Sequence, residues 1–245
     1  MLAVIGAMAD EVDLLAGEMT IAGRQLHAGI EVVRGEFRGV DLVLARCGIG
    51  KVNATICTQM LIDRYGPDAL IFSGVAGGLL PNMRIGDLVV ASHLIQYDMD
   101  LTAFGRRHGE LSGENRMIES DPELVQKAAA AFDTAFPDPA SAPSLMLGTV
   151  VSGDRFIQDN ETLRWLQREF SALATEMEGA AVGYTCALNG LPFVVICGLS
   201  DTAGDSTSDD FAANLSAVCR NCFRLLEVLI PAIGAQGADS LDKAS

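Results

Sequence analysis

Five carboxylates lie beside small or apolar residues, and they are the side chains best suited to acid–base chemistry. They are Glu11, Asp154, Glu176, Glu178 and Asp201. Cleavage of a bond between ribose and a purine passes through an oxocarbenium-like state, so one carboxylate must activate water and another acid must protonate the leaving base. A third group should hold the ribose hydroxyls. By position, Glu11, Asp201 and Glu178 fit these roles.

Each of these acids also has an ordinary structural explanation. Carboxylates in the first turn of a helix interact favourably with the helix dipole, which is enough to explain Glu176, Glu178 and Glu11. Asp201 follows the apolar run Phe193–Leu199, where folding does not need a solvated acid, although an aspartate can cap a helix or form a turn. A leaving-group acid must keep its proton near neutral pH, and burial behind an apolar strand favours that state.

Other motifs give weaker signals. The glycine cluster Gly74–Gly78 can let the backbone approach a ligand, but no Lys-Ser/Thr pair follows it as in a phosphate-binding loop. The first strand is not followed by G-x-G-x-x-G, which argues against a dinucleotide-binding oxidoreductase.

Phe156 can stack on a purine or pack in the core. Cys219 and Cys222 form a CxxC in an amphipathic helical stretch, where we predict a packed helix face.

The composition argues against several classes of partner. The chain has 245 residues, a formal net charge of −15 and a pI of about 4.4. An acidic surface repels phosphate backbones and anionic lipids, so nucleic acids and membrane surfaces are poor partners. No apolar run approaches the length of a membrane span and no targeting segment is visible, which predicts a cytoplasmic location. His27, His93 and His108 lack ligand spacing, so no metal or cofactor is expected.

Alternating strands and helices must position these residues. Apolar runs predict strands at Leu2–Gly6, Asp68–Phe72, Asp87–Tyr97, Ser144–Ser152 and Pro192–Ser200, and a hairpin of Glu31–Phe37 and Val40–Arg46. Helical spacing predicts helices at Asp10–Met19, Val52–Tyr65, Asp121–Phe132, Glu161–Phe170, Glu176–Asn189 and Asp210–Leu229. The pattern predicts one α/β domain, residues 1–233, with a central mixed, largely parallel twisted sheet flanked by helices. Such sheets bind ligands beyond the carboxyl ends of their strands. Residues 234–245 are small and polar, which predicts a disordered tail.

Seven short stretches, in this order, form a specific pattern. They are Ile5–Val12 (IGAMADEV), Gly48–Asn53 (GIGKVN), Ser73–Leu79 (SGVAGGL), Asp100–Gly105 (DLTAFG), Ser152–Ile157 (SGDRFI), Glu176–Ala181 (EMEGAA) and Leu199–Asp201 (LSD). With them the chain resembles the 5′-methylthioadenosine/S-adenosylhomocysteine nucleosidases of the purine nucleoside phosphorylase superfamily, from about Leu2 to Leu229. The resemblance implies a nucleoside phosphorylase-like fold. It also implies hydrolysis of the N-glycosidic bond of both nucleosides, with 5′-deoxyadenosine as a further candidate substrate.

The resemblance also implies residue roles. Glu11 matches the acid that activates water, Asp201 the acid that protonates purine N7, and Glu178 the ligand of the ribose hydroxyls. The implied substrate contacts are Ser200, which orients Asp201; Met177, against the ribose; Phe156, which stacks on the base; Ile157, whose backbone recognises adenine; Met8 and Ile49, in the 5′-thio pocket; and Val75, Glu176 and Phe211. Leu101 and Phe104 match residues that reach a neighbouring subunit's site, so a homodimer is implied.

Three departures from the family pattern concern the water and the 5′ end of the substrate. Many members have Ser at Val75 and Arg at Cys197, and both residues help to hold the water in those enzymes. Val has no polar side-chain atom and Cys is a weak donor, so Glu11 is expected to bear more of that task. The segment between Asp201 and Phe211 is shortened, and Phe211 either caps the 5′ pocket or belongs to the helix start.

Three alternatives remain open on the sequence. A phosphorylase would use phosphate in place of water, but Glu11 repels an anion and the glycine cluster offers no Arg, so hydrolysis is predicted. A hydrolase acting on futalosine or 6-amino-6-deoxyfutalosine would use the same carboxylates with a larger, more polar 5′ pocket. A non-catalytic nucleoside-binding protein is disfavoured because Glu11, Glu178 and Asp201 are all present.

Overall fold

Short apolar runs form buried strands that alternate with helices along most of the chain. The computed structural model describes residues 1–110, 115–202 and 208–241. The strands within these residues are β1 (Leu2–Gly6), β2 (Thr20–His27), β3 (Ile30–Phe37), β4 (Val40–Arg46), β5 (Ala69–Gly78), β6 (Leu88–Gln96), β7 (Ile118–Glu119), β8 (Leu145–Ser152), β9 (Ala172–Glu176) and β10 (Phe193–Thr202). The helices are α1 (Ala9–Glu18), α2 (Lys51–Tyr65), α3 (Pro122–Ala135), α4 (Asn160–Phe170), α5 (Gly179–Leu188) and α6 (Ser208–Leu241), with a 3-10 turn at Thr102–Phe104.

All these strands belong to one sheet, in the order β10-β6-β8-β9-β5-β1-β4-β3-β2, with β7 beside β6. β5 pairs with β1 and β10 in parallel and with β9 in antiparallel orientation. Because β10 also pairs with β6, the strands β5, β10, β6, β8 and β9 close into a ring. The predicted single α/β domain with a mixed sheet is confirmed. Parallel and antiparallel pairings among the described strands are equally frequent.

Helices cover both faces of the sheet because the buried strands are apolar on both sides. In β1, Ala3 and Ile5 belong to a core cluster that includes Cys57 and Leu61 of α2 and Ala180 of α5. The alternate residues of β1, Leu2 and Val4, belong to a second cluster with apolar residues of α1, α3 and α6. Strand residues alternate between the two faces of a sheet, so one strand supplies both layers of the core.

Two segments near the predicted site differ from the sequence prediction. β5 does not end at Phe72 but continues through the glycine cluster to Gly78, where it pairs with β9 and β10. The segment Glu176–Asn189 is not one helix: Glu176 ends β9, which pairs with β8, and α5 begins at Gly179. Both errors have one cause, since small residues carry little periodic signal and the pairing comes from distant strands.

The end of the chain also differs from the prediction. α6 extends to Leu241, through part of the segment from Gly234 that was expected to be disordered. Gly234 lies against Val40, because a Cβ on Gly234 would stand 2.5 Å from a Val40 methyl. This contact packs the start of that segment against β4, and residues 242–245 lie outside the described residues. Every helix in the described part of the chain is too short or too polar to cross a bilayer.

Candidate active site

A cavity of about 430 Å³ opens where β1 and β9 end and where β5 and β10 reach their last residues. Its lining joins all three predicted catalytic residues with most of the predicted substrate contacts. The lining residues are Ala7, Met8, Glu11, Ile49, Val75, Ala76, Gly77, Phe156, Thr175, Glu176, Met177, Glu178, Ser200, Asp201 and Phe211. Strand ends from both halves of the chain therefore bring four carboxylates to one cavity.

Glu11 lies in the first turn of α1, and backbone amides hold its carboxylate. Its Oε2 accepts hydrogen bonds from the amides of Ala7 (2.6 Å) and Met8 (2.9 Å), and Oε1 accepts one from the Val75 amide (3.2 Å). Burial raises the pKa of Glu11 to about 7, the charge of Glu176 adds to this rise, and the three amides oppose it. Among the described residues, no cation forms an ion pair with Glu11. Glu11 is therefore both a first-turn helix acid and a group that titrates near neutral pH.

Glu178 precedes α5 and is almost completely buried. Its Oε1 accepts a hydrogen bond of 2.6 Å from the Gly50 amide. The pKa of Glu178 is raised to about 8, chiefly by burial and also by the charges of Glu176 and Glu11, and the Gly50 hydrogen bond opposes this rise. Gly50 has φ +96°, a backbone conformation that residues with a Cβ rarely adopt. The glycine thus sets the direction of the amide that holds Glu178.

Glu176 uses its carboxylate within the protein, although it lines the cavity. Oε2 accepts hydrogen bonds from the amides of Glu178 (2.8 Å) and Gly179 (2.6 Å), and Oε1 accepts one from the Ser152 hydroxyl. Ser152 Oγ in turn accepts a hydrogen bond of 2.7 Å from the Ala180 amide. Burial raises the pKa of Glu176, and these hydrogen bonds oppose the rise. Glu176 therefore satisfies the first amides of α5 from outside the helix and is a poor candidate for direct contact with substrate.

A bulge in β10 directs Asp201 into the cavity. The register with β5 shifts between Leu199 and Asp201, so Ser200 is the extra residue. Ser200 is fully buried and its hydroxyl donates to Asp201 Oδ1 at 2.7 Å. A Cβ on Gly77 would lie 2.9 Å from Asp201 Oδ2, so only glycine leaves room for this carboxylate. Burial raises the pKa of Asp201, and the Ser200 hydrogen bond lowers it.

The remaining walls are apolar. Met8, Ile49, Val75 and Met177 line the cavity with an aromatic pair. The rings of Phe156 and Phe211 meet edge to face, with centroids 5.8 Å apart and planes at 79°. Phe211 belongs to the first turn of α6 and also lines the cavity, while its role as a cap of the 5′ pocket stays a prediction. Residues 203–207 of the shortened segment lie outside the described residues.

Three predicted substrate contacts do not line the cavity. Ile157 is buried in a separate core cluster with Leu79, Ile95 and Tyr97. Leu101 and Phe104 lie at the 3-10 turn, where Phe104 is 82% exposed. Cys197, the position at which many relatives have Arg, is fully buried in β10 and pairs with Gly74 of β5.

Some site residues escaped the sequence analysis. Ala7, Ala76, Gly77 and Thr175 line the cavity, and the first three lie inside stretches that carry the family resemblance. Thr175 carries no signal of its own, since it reaches the cavity only because β9 pairs with β5 and β8. The Gly50 amide was missed for a different reason: a backbone donor cannot be recognised from side-chain chemistry.

Known proteins resemble this chain over nearly its whole length. The phosphorylase superfamily model matches residues 1–231. A 5′-methylthioadenosine/S-adenosylhomocysteine nucleosidase from Geobacillus thermodenitrificans is 37% identical over 228 residues, covering 91% of this chain and 93% of that protein. The nucleosidase of the same description from Neisseria meningitidis, solved in complex with methylthio-immucillin-A, has a TM-score of 0.88 and 32% identity, covering 94% of this chain and 98% of that one. A futalosine hydrolase of Helicobacter pylori also has a TM-score of 0.88, with 29% identity and coverage of 94% and 97%.

Proposed function

The chain belongs to the 5′-methylthioadenosine/S-adenosylhomocysteine nucleosidases of the phosphorylase superfamily, and from this premise we propose that it hydrolyses the N-glycosidic bond of both nucleosides. The products are adenine and the 5′-thio-substituted ribose. The observation that carries the proposal is the convergence of Glu11, Glu178 and Asp201 on one cavity with apolar walls. The three acids come from different strand ends, which no single local explanation accounts for.

We assign the three carboxylates distinct roles in the reaction. Water attacks the anomeric carbon, and Glu11 takes its proton. The bond from this carbon to purine N9 breaks, and Asp201 delivers a proton to N7 so that adenine leaves as a neutral base. Glu178 accepts hydrogen bonds from the ribose hydroxyls. The ring charge that develops in the transition state is positive, so nearby carboxylates stabilise it.

The protonation behaviour of the site supports these roles. A general base works best when its pKa lies near the working pH, and burial raises the pKa of Glu11 to about 7. A leaving-group acid must keep its proton until it is transferred, and burial also raises the pKa of Asp201. The bulge at Ser200 and the glycine at position 77 position Asp201 for transfer from one oxygen while the other holds the Ser200 hydroxyl.

Val75 and Cys197 stand where many family members have Ser and Arg. Backbone amides hold the Glu11 carboxylate here. The Val75 amide donates to Glu11 Oε1 even though its side chain has no polar atom. Cys197 is fully buried in the core and offers no positive charge. We therefore propose that the attacking water is held chiefly by Glu11, whose orientation is fixed by the amides of Ala7, Met8 and Val75.

The apolar end of the cavity favours a thioether over an aromatic carboxylate at C5′. The described lining residues include no Lys or Arg, and residues 203–210, which follow Asp201, have none in their sequence. A carboxylate entering such a site would lack a charged partner and lose its hydration. The futalosine hydrolase alternative is retained because its structure has the same TM-score against this chain, 0.88, as the nucleosidase structure.

One assay tests the proposed function against both rival enzymes. Purified protein is incubated with methylthioadenosine, S-adenosylhomocysteine and 6-amino-6-deoxyfutalosine, with and without phosphate, and adenine and the sugar product are quantified. We expect adenine release from the two thio-nucleosides at a rate that phosphate does not change, because the described cavity lining offers an anion no cation. Activity confined to the futalosine analogue, or ribose 1-phosphate as a product, would contradict the proposal.

We also propose that the enzyme is a homodimer in which Leu101 and Phe104 reach the neighbouring site. Ile49 lines the cavity and is 55% exposed, and Val52 and Ile56 continue an exposed apolar stripe from it along α2. This stripe begins beside the cavity. A second copy of the chain bound to the stripe would be placed to complete the cavity. Exposed apolar surfaces of this kind commonly mark association sites.

Replacing Phe104 with alanine tests this arrangement. If Phe104 contacts substrate across the dimer, the KM for methylthioadenosine should rise roughly tenfold through loss of apolar contact, with kcat much less affected. Leu26→Ala, at a similarly exposed apolar position on β2, serves as the control and should leave KM unchanged. A monomeric mass by light scattering, or equal effects of the two substitutions, would refute the shared site.

The proposed products and the cysteines bear on where the enzyme acts in the cell. We propose a cytoplasmic enzyme of methionine salvage, because its products are adenine and a sulfur-bearing ribose. All six cysteines are free and buried, which is compatible with a reducing compartment.

A further inference from the structure

Two loops meet beside the cavity, and a polar cluster joins them. One loop ends at Gly50, whose amide holds Glu178. The other leads from Asp154 to Phe156, which forms a wall of the cavity. The cluster, here named the loop clamp, consists of Lys51, Asp98 and Asp154.

The loop clamp forms a closed circuit of contacts. Asp154 Oδ1 accepts a hydrogen bond of 2.8 Å from the Lys51 amide, the residue after Gly50. The Lys51 ammonium pairs with Asp98 Oδ1. Asp98 Oδ2 accepts a hydrogen bond of 3.0 Å from the Asp154 amide. Each residue of the clamp therefore fixes the other two, and both loops are tied to the end of β6 near Asp98.

From this circuit we infer that Asp154 is a positioning residue: through the loop clamp it fixes the Gly50 amide against Glu178 and holds the loop that carries Phe156. This inference rests on the proposed function, in which Glu178 binds the ribose and Phe156 the base. Asp154 itself does not line the cavity, so it acts only through the groups it holds.

Asp154 is exposed, but its carboxylate lies close to Gly50. A Cβ built on Gly50 would lie 3.1 Å from Asp154 Oδ1, so the carboxylate packs directly over the glycine. Lys51 is the first residue of α2, and a carboxylate at a helix N-terminus is favoured by the helix dipole. The Lys51 side chain is only 17% exposed and that of Asp98 31%, so this ion pair is more shielded than an ordinary surface pair.

Asp154→Ala tests the inference, with Asp154→Asn as the conservative variant. Alanine removes the acceptor for the Lys51 amide, whereas asparagine keeps an oxygen in its place. We expect Asp154→Ala to lower kcat/KM for methylthioadenosine on the order of tenfold and Asp154→Asn to recover most of that loss. A loosened Gly50 amide also stabilises the Glu178 anion less, so the acid limb of the kcat/KM profile should move to higher pH.

Asp121→Ala is the matched control. Asp121 accepts the Leu124 amide at the start of α3, the same kind of contact at a helix that does not reach the cavity. Both alanine variants should lower the melting temperature, but only Asp154→Ala should change kcat/KM and its pH profile. If Asp154→Ala does not fold, Asp98→Asn weakens the Lys51 pair and should shift the profile in the same direction by less.

The outcomes separate the inference from the proposed function. If the unmodified enzyme releases adenine and Asp154→Ala loses only stability, as Asp121→Ala does, the positioning role is overturned and the proposed function stands. An equal loss in Asp154→Asn and Asp154→Ala would also overturn it, because the retained oxygen would then be irrelevant. If the unmodified enzyme releases no adenine from either thio-nucleoside, the proposed function fails first.

Discussion

Replacing Asp201 with asparagine is expected to lower kcat for methylthioadenosine by roughly three orders of magnitude, within the range that general acid–base groups contribute. Asparagine keeps the size of the side chain and can accept the Ser200 hydroxyl in place of Asp201 Oδ1. It can also donate a hydrogen bond to purine N7. It cannot transfer a proton, so adenine would have to leave as an anion.

We would measure adenine release by the unmodified enzyme and by Asp201→Asn at saturating substrate. Adenine binding to both proteins would be measured by calorimetry. We expect the affinity for adenine to change little, because the asparagine side chain can still hydrogen-bond to the base, whereas kcat should fall. Asp138→Asn, at a loop aspartate that binds Ala140 and Ser141, should behave as the unmodified enzyme. A loss in Asp201→Asn of less than about tenfold would show that another group protonates the leaving base.

Ser200→Ala provides a graded test of the same acid. Without the Ser200 hydroxyl, Asp201 loses the hydrogen bond that lowers its pKa. The acid should then keep its proton to higher pH but be less well oriented. Activity should therefore fall far less than in Asp201→Asn, and the remaining activity should extend further into alkaline conditions.

Glu11→Gln is expected to remove catalysis to a similar extent, on the order of a thousandfold, and to change the pH dependence of folding. In the unmodified enzyme, kcat/KM should rise as pH increases through about 7 to 8, because burial raises the pKa of Glu11 to about 7 and that of Glu178 to about 8. Glutamine cannot accept the proton of the attacking water. Its low residual rate should therefore lack the rise that Glu11 produces.

The raised pKa of Glu11 should make the free energy of unfolding fall as pH rises. The pKa of Glu11 is about 7 in the folded protein and 4.5 as its ordinary value, so between these pH values the folded state holds a proton that the unfolded state has lost. The free energy of unfolding therefore falls as pH rises from about 4.5 to about 7 and levels off above that. Glu178, with its pKa raised to about 8, contributes a fall in the same direction.

Chemical denaturation at pH 5 and pH 8 checks this for both proteins. Glu11→Gln should lose less stability over this interval than the unmodified enzyme, by a difference of up to about 3 kcal/mol. Loss of the Val75 hydrogen bond adds an offset that does not depend on pH, so the comparison between the two pH values isolates the titration. Identical changes in the two proteins would mean that Glu11 is ionised at pH 5.

The sequence predicted which residues meet at the cavity better than it predicted their local structure. Glu11 and Asp201 each follow an apolar strand, so residue type and position were enough to predict that both lie at the cavity. Glu176 has the same residue type and similar surroundings, yet its carboxylate holds the Ser152 hydroxyl and two amides. That assignment depends on pairing between β8 and β9, which no local pattern contains.

The missed parts of the fold share a physical origin. β2 was not predicted, because it is an edge strand exposed along nearly its whole length and lacks apolar alternation. β5 was ended too early because glycines weaken a strand signal, although Gly77 is needed to admit the Asp201 carboxylate. In each case the tertiary neighbour, and not the intrinsic preference of the residues, determines the structure.

The closed ring of strands fixes when activity can first arise during synthesis. β10 is the last of the described strands and closes the ring by pairing with both β5 and β6. Until it emerges from the ribosome, the cavity lacks Asp201, the residue that we propose protonates the leaving base. Pairings between strands so distant in sequence form slowly. In a refolding experiment, the rate at which adenine release returns would therefore report the rate at which the ring closes.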